Sequence, residues 1–198
     1  MNLTKIYHKS RSLMFTPGIS WPDIASENSY RRKVISELLL PMLVLVGLFS
    51  LLGTAFSGGI EDSFSFGYLL FNGFISSLIF FFEVYLSAWL ITEIANSFKS
   101  ETNSHLIFNL VIYSHIPFFL TLSVSLLFPD LIFINLLAAY SFVLFWKGIE
   151  TFTSMKTERK AVFMILSSLI IVLMYILLTV LFNNIYDTVL NQFTIYSS

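Results

Sequence analysis

Five long apolar stretches, with every basic residue on one side of them, constrain this chain of 198 residues more than any other feature. An apolar stretch of about 18 residues or more is long enough to cross a bilayer as a helix. Connectors that carry lysine and arginine stay in the cytoplasm. The pattern predicts an all-α fold, namely a polytopic membrane protein built as a five-transmembrane-helix bundle. The eleven bases are Lys5, Lys9, Arg11, Arg31, Arg32, Lys33, Lys99, Lys147, Lys156, Arg159 and Lys160.

The composition agrees with a lipid environment. The chain is 56% hydrophobic and only 12% charged, whereas a typical soluble domain has about 25% charged residues. The formal net charge of −1 gives no overall basic field, so we predict no nucleic-acid partner. Cysteine is absent, which excludes disulfides, thiolate metal sites and cysteine nucleophiles. We expect the bilayer itself as the main partner, and no cofactor.

The sequence divides into three predicted segments. Residues 1–33 form a cytoplasmic amphipathic segment, and residues 183–198 form an external tail that carries no base. Residues 34–182 form the transmembrane domain. This order places the N-terminus in the cytoplasm and the C-terminus outside. The five predicted spans cover 34–56, 66–94, 106–128, 131–152 and 161–182.

The N-terminal segment is predicted to begin with an amphipathic helix at the membrane interface. Its apolar residues between Leu3 and Met14 recur at helical spacing, and the bases fall largely off that stripe. Such a helix can lie on anionic lipid and pack under the bundle, and it can also offer a docking surface to a cytoplasmic partner. Trp21 suits the headgroup layer. The candidate membrane- or partner-binding surface comprises Lys5, Lys9, Arg11, Trp21, Arg31, Arg32, Lys33, Lys156, Arg159 and Lys160.

Two ionisable residues, Glu83 and His115, are predicted near the middle of the second and third spans. Charge at that depth is costly, so ionisable residues there are functional candidates by default. The two spans are sequential and joined by a short loop, so we expect that their side chains can meet. We favour a neutral, hydrogen-bonded pair that holds the helices together. The alternative is a proton relay or a coupled transport site.

Two prolines interrupt predicted spans. Pro41 leaves the carbonyl of Glu37 without its helical donor, and Pro117 does the same for Tyr113. We expect a helix kink at each proline. Such a kink either bends the helix for packing or opens a polar cavity beside the two ionisable residues.

The sequence offers no set of residues typical of an enzyme. It has no phosphate-binding glycine loop and no Ser/His/Asp set that the topology would bring together. Its three histidines, His8, His105 and His115, are predicted at two different depths, which argues against a shared metal site. We therefore predict that the chain is not an enzyme.

Several short motifs follow one another in a characteristic order. They are WPDIASE after the N-terminal helix, ELLLPM in the first span, YSHIP in the third, FPDL at the outer turn and FWKGIE before a basic loop. In this order the chain resembles the Yip family of integral membrane proteins, first named as partners of Ypt/Rab GTPases, over residues 1–182. It resembles the compact bacterial members more than the eukaryotic members with long N-terminal domains.

The resemblance implies five spans, a cytoplasmic N-terminus, an outward C-terminus and helical packing that supports oligomers. It also implies a bacterial inner or plasma membrane. A Rab-type GTPase is implied as a partner by analogy alone, because the N-terminal region is short and a bacterial host has no Rab cycle.

Together these observations predict a non-enzymatic scaffold, or a membrane-organising and partner-binding protein. The main alternative is a small proton-coupled transporter or channel that uses Glu83 and His115. A third interpretation is a subunit of a larger membrane complex, docked through aromatic residues of the second span that otherwise contact lipid and core. These aromatic residues are Phe80, Phe81, Phe82, Tyr85 and Trp89.

Overall fold

A computed structural model describes residues 3–27, 29–56, 66–98, 103–153 and 157–196. Within these ranges every regular element is helical. Five of the helices are long and apolar enough to cross a membrane, which confirms the predicted all-α, five-helix bundle. In chain order the spans cover Arg31–Phe56, Phe66–Ser97, Ser104–Leu127, Phe133–Phe152 and Glu158–Ile185.

Two short helices, α1 (Leu3–Phe15) and α2 (Pro17–Ser26), precede the first span and pack against each other. Leu13 of α1 is fully buried. The Tyr140 hydroxyl, on the fourth span, donates to the carbonyl oxygen of Met14 at 2.8 Å. The N-terminal segment is therefore part of the bundle, and Leu13 of its apolar stripe is covered by protein.

The second and third spans form the centre of the bundle. The second span packs against the first, the third and the fifth, whereas the third packs against the first, the second and the fourth. The third span is the most buried of the five and the fifth is the least buried. The fifth span therefore covers one side of the second and leaves most of its own surface to lipid.

The first and second spans come very close where two glycines face each other. A Cβ atom added to Gly73 would lie 2.6 Å from the carbonyl oxygen of Gly47. The hydroxyls of Ser50 and Ser76 are 2.8 Å apart at the same interface. Small and hydroxyl-bearing residues of this kind let membrane helices approach and bond to each other.

The structure has an irregular turn before each of the two predicted kinks. A π-helical turn, Ile35–Leu39, precedes Pro41, and the third span breaks at His115, two residues before Pro117. Proline supplies no amide donor to the preceding turn, so the helix changes its hydrogen bonding there. As a result, His115 lies at the junction between the two halves of the third span.

The last helix is longer than the sequence suggests. It runs from Thr157 to Tyr196, so the predicted tail 183–198 is helical as far as the structure describes it. Residues 183–196 contain neither proline nor glycine, so neither of the two strongest helix breakers ends the helix at Phe182. The predicted end followed the loss of hydrophobicity, which marks where lipid ends and not where a helix ends.

Candidate functional site

Glu83 and His115 lie side by side at the centre of the bundle, on the second span and at the break in the third. Oε1 of Glu83 is 3.2 Å from Nε2 of His115. The two side chains are 0% and 2% exposed, respectively. The structure therefore brings together the two ionisable residues that the sequence singles out, in a contact closed to solvent.

The hydrogen bonds of His115 determine how many protons the pair holds. Its Nδ1 is 2.7 Å from the carbonyl oxygen of Val111. A carbonyl oxygen can only accept, so Nδ1 carries a hydrogen. Nε2 then either accepts from a protonated Glu83 or, in an imidazolium, donates to a Glu83 carboxylate. In both states one proton lies between Nε2 and Oε1.

The surroundings of Glu83 favour the neutral state. The Ser87 hydroxyl donates to Oε1 over a long 3.5 Å. The second oxygen, Oε2, is buried and has no hydrogen-bond partner among the described residues. A buried carboxylate needs well-made hydrogen bonds to offset its desolvation, whereas a bare oxygen of a neutral acid costs less. These contacts agree with the neutral pair that the sequence favours, in which Glu83 donates to Nε2 of His115, and this state stays a prediction.

A cavity of about 310 Å³ lies between the third, fourth and fifth spans and reaches His115. Ser114 and Tyr175 also line it, whereas Glu83 does not. The alternative of a polar cavity beside both ionisable residues is therefore met only on the histidine side of the pair. The carboxyl group stays enclosed between helices.

The exposed bases of the spans cluster at one end of the bundle. Arg32 and Lys33 lie at the start of the first span, and Arg159 lies at the start of the fifth. The two starts are at the same end, because the chain crosses the bundle an even number of times between them. Arg11 of α1 is exposed as well, whereas Arg31 and Lys160 are half-buried. Lys156 and the side chain of Lys5 lie outside the described residues.

Lys9 holds α1 and α2 together and contributes little to the surface. Its Nζ is 2.7 Å from Oε2 of Glu27 and 4.9 Å from the centre of the Tyr113 ring. Burial lowers the pKa of Lys9, but the interactions with Tyr113 and Glu27 outweigh burial, so this pKa is raised above 10.5. Lys9 therefore stays charged at neutral pH.

Trp21 does not belong to the predicted membrane- or partner-binding surface, because its side chain is fully buried. The indole Nε1 donates to the carbonyl oxygen of Leu144 at 3.1 Å. The ring packs edge-on against Tyr113 and Phe152, with centroids 6.5 and 5.4 Å away. A Cβ on Gly148 would lie 3.0 Å from the ring, so this glycine leaves room for it. With its N–H satisfied inside the protein, the indole has no need of the polar interface.

Two polar contacts that the sequence did not predict tie the start of the first span to the third. Nη2 of Arg31 donates to the carbonyl oxygen of Ser104 at 3.2 Å, and its guanidinium lies 5.0 Å from the centre of the Phe108 ring. The buried Asn109 donates from Nδ2 to the carbonyl oxygen of Ser29 at 2.7 Å. The contact of Asn109 could have been predicted from the sequence, because a single amide side chain in an apolar span needs a hydrogen-bond partner.

No metal site is formed by the residues that the structure describes. Within them, no three histidine, cysteine, aspartate or glutamate side chains come close enough to hold one ion. His115 already has both ring nitrogens engaged. His105 packs against the Tyr30 ring, with centroids 6.1 Å apart, away from the buried pair.

Comparison with protein-family models gives a match over most of the chain. The model of the Yip1 domain matches residues 11–181. The chain belongs to the Yip1 family. It is thus an integral membrane protein of that family, and the matched range includes α2 and both residues of the buried pair, Glu83 and His115. No curated protein and no solved structure matches the chain.

Proposed function

We propose that this Yip1-family protein is a non-enzymatic scaffold that organises the membrane or holds a partner there. The closed contact between Glu83 and His115, 0% and 2% exposed, carries the proposal. A transport site must be reached from each side of the membrane in turn. A pair that is buried and bonded to itself instead fastens the second span to the third.

The proposed partner surface is the basic end of the bundle. Arg32, Lys33 and Arg159 are exposed there. Each cation near a membrane surface contributes about 1 kcal/mol of attraction to anionic lipid, and the same cations attract an acidic face of a cytoplasmic protein. The positive-inside rule places this end in the cytoplasm, which we propose is that of a bacterium. Within the bilayer, we propose a second copy or another membrane protein as partner.

Proton flux in proteoliposomes tests the scaffold proposal. We reconstitute wild type, Glu83→Gln and Glu93→Gln into vesicles that enclose a pH-sensitive dye. Glu93→Gln is the control, because its exposed carboxyl lies on the same helix. We expect all three to leak no faster than protein-free vesicles. A wild-type flux that Glu83→Gln abolishes and Glu93→Gln retains would overturn the proposal.

Site-specific photo-crosslinking in cells tests the partner surface. A photoreactive amino acid is placed at Arg32 or Arg159, and the lipid-facing Val44, which is 60% exposed, serves as the control position. We expect a discrete protein adduct or an anionic lipid adduct at the basic positions and only bulk lipid at Val44. Identical products at all three positions would contradict a partner surface at the basic end.

The proposed orientation has its own test, because the chain has no cysteine. Single cysteines replacing Ser63 and Ser197 are expected to react with a membrane-impermeant maleimide from outside intact cells. One replacing Thr157 is expected to react only after lysis. The opposite labelling pattern would invert the topology and move the basic end outside.

A second candidate function is a small proton-coupled transporter or channel. The observation that favours it is the 3.2 Å contact between Oε1 of Glu83 and Nε2 of His115, which one proton can bridge, next to Oε2, which has no hydrogen-bond partner among the described residues. A second conformation that admits water to this oxygen would let the proton leave. The proteoliposome experiment decides between the two functions, because only the transporter requires flux that depends on Glu83.

A further inference from the structure

The cavity beside His115 has the dimensions and the lining of a ligand site. Its volume of about 310 Å³ lies within the range of about 300–1,000 Å³ that small-molecule pockets occupy. Most of its wall is apolar, and Phe118, Phe142 and Phe145 contribute to it. Five polar residues line it as well, namely Ser114, His115, Asn135, Ser141 and Tyr175.

Three of these polar residues have hydrogen-bond donors to spare, and the acceptors of two of them are already occupied. Oδ1 of Asn135 accepts from the Ser125 hydroxyl at 3.2 Å, which leaves its amide hydrogens. Oγ of Ser141 accepts from a backbone amide at 3.2 Å, which leaves its hydroxyl hydrogen. The buried hydroxyl of Ser114 has no hydrogen-bond partner among the described residues. The cavity therefore suits a ligand with acceptor oxygens.

The depth of the cavity limits the charge of that ligand. At 1.5 Å per residue, His115 lies ~16 Å along the third span from Ser104, and Ser141 lies ~16 Å from the end of the fourth span at Phe152. These distances are about half of a hydrocarbon core of ~30 Å. A charged headgroup is costly at that depth, and the neutral Glu83–His115 pair offers no net charge to balance it. The part of the ligand that lies beside His115 and Ser141 is therefore neutral.

The bilayer gives direct access to the cavity. The fourth and fifth spans pack mainly against other spans and only weakly against each other. Leu136 on the fourth span and Val172 on the fifth both line the cavity and are 79% and 42% exposed. An apolar tail can therefore pass between these two spans into lipid while a polar head stays at the polar end of the cavity.

We propose that this cavity binds a lipid-soluble quinone. Its ring is neutral and flat, its carbonyl oxygens accept from Tyr175, Asn135 and Ser141, and its isoprenoid or alkyl tail leaves between the fourth and fifth spans. A plain acyl chain would fill the space but leave the donors unpaired. A fatty-acid carboxylate would bring a charge to mid-depth. The site is independent of the scaffold function and involves no redox step.

Equilibrium binding of tritiated decylubiquinone to the full-length protein in nanodiscs tests the proposal. Tyr175→Phe removes one donor and keeps the ring that packs 5.3 Å from Phe118. Ala138→Phe fills the cavity, since Ala138 lines it. Leu169→Phe is the matched control, because Leu169 lies on the fifth span, is 53% exposed and does not line the cavity. Circular dichroism and a monodisperse elution profile establish that each variant is folded.

We expect saturable binding to wild type and to Leu169→Phe, and none to Ala138→Phe. Tyr175→Phe is expected to bind about fivefold more weakly, the factor that corresponds to about 1 kcal/mol for one hydrogen bond. If Ala138→Phe does not fold, Asn135→Leu is measured in its place. It removes one hydrogen-bond donor, so we expect a loss of affinity similar to that of Tyr175→Phe. The proposal would be overturned if binding to wild type were not saturable, or if both Tyr175→Phe and the cavity variant bound as tightly as wild type. It would also be overturned if oleic acid displaced the label as effectively as unlabelled quinone does.

Discussion

Replacing Glu83 with glutamine and with leucine distinguishes the two protonation states of the buried pair. In the neutral state Glu83 donates to Nε2 of His115, and a glutamine amide can donate in its place. We therefore expect Glu83→Gln to lower the free energy of unfolding by less than about 1 kcal/mol. Leucine has no donor and leaves Nε2 buried and unpaired, at a cost of about 1–3 kcal/mol.

The membrane reduces the expected loss of unfolding free energy, because polar side chains still find partners in the state that is unfolded within lipid. Hydrogen bonds between membrane helices average about 0.6 kcal/mol and reach about 1.7 kcal/mol in double-mutant cycles. The burial of both side chains, 0% and 2% exposed, favours a coupling energy above that average, because no water competes for the bond. We predict a coupling energy of about 1–1.5 kcal/mol between Glu83→Leu and His115→Leu.

Unfolding in mixed micelles, titrated with sodium dodecyl sulfate and followed by circular dichroism, measures these differences. Glu93→Gln, near the C-terminal end of the same helix and exposed, controls for loss of a carboxyl group as such. A coupling energy near zero would refute a fastening role for the pair. A cost of about 3–5 kcal/mol for Glu83→Gln would instead indicate a buried ion pair broken on one side, and would refute the neutral state.

Two further predictions concern the N-terminal segment and its contact with the fourth span. Gly148→Ala is expected to destabilise the protein by about 1–3 kcal/mol, because the new Cβ would overlap the Leu110 side chain. A Cβ added to Gly18 would meet no heavy atom within 4 Å, so Gly18→Ala should be neutral or slightly stabilising. Equal losses of stability for Gly148→Ala and Gly18→Ala in the same unfolding assay would contradict the packing described. Lys9→Met is expected to lose less than about 1 kcal/mol. Since the pKa of Lys9 is raised, the ion pair contributes fully to stability below pH 10.5, and this contribution disappears as the pH rises through the folded-state pKa. A difference in stability between wild type and Lys9→Met that persists above that pH would contradict the ion pair.

The bundle and the buried pair could be predicted from the sequence because lipid applies one rule along the whole chain. A span must be apolar, and a residue that breaks the rule, such as Glu83 or His115, needs a partner at the same depth. Sequential spans are neighbours, so the partner could be named. The break at His115 followed from Pro117, which removes an amide donor at a known position.

The placement of Trp21 could not be predicted in this way. An indole satisfies its N–H equally well in a headgroup layer or against a buried carbonyl, and local sequence does not distinguish the two. The carbonyl of Leu144 and the space left by Gly148 come from a distant part of the chain. The ion pair between Lys9 and Glu27 depends in the same way on how α1 and α2 pack, which helical spacing alone does not specify.

Infrared spectroscopy tests most directly whether Glu83 is a neutral carboxylic acid sealed inside the bundle. A protonated carboxyl has a C=O stretching band separate from that of a carboxylate, and the band shifts when its proton exchanges for deuterium. We predict that the reconstituted protein at neutral pH shows this band, that Glu83→Gln removes it and Glu93→Gln retains it, and that it shifts only over hours in D₂O. Absence of the band, or a complete shift within seconds of adding D₂O, would contradict a sealed, neutral pair.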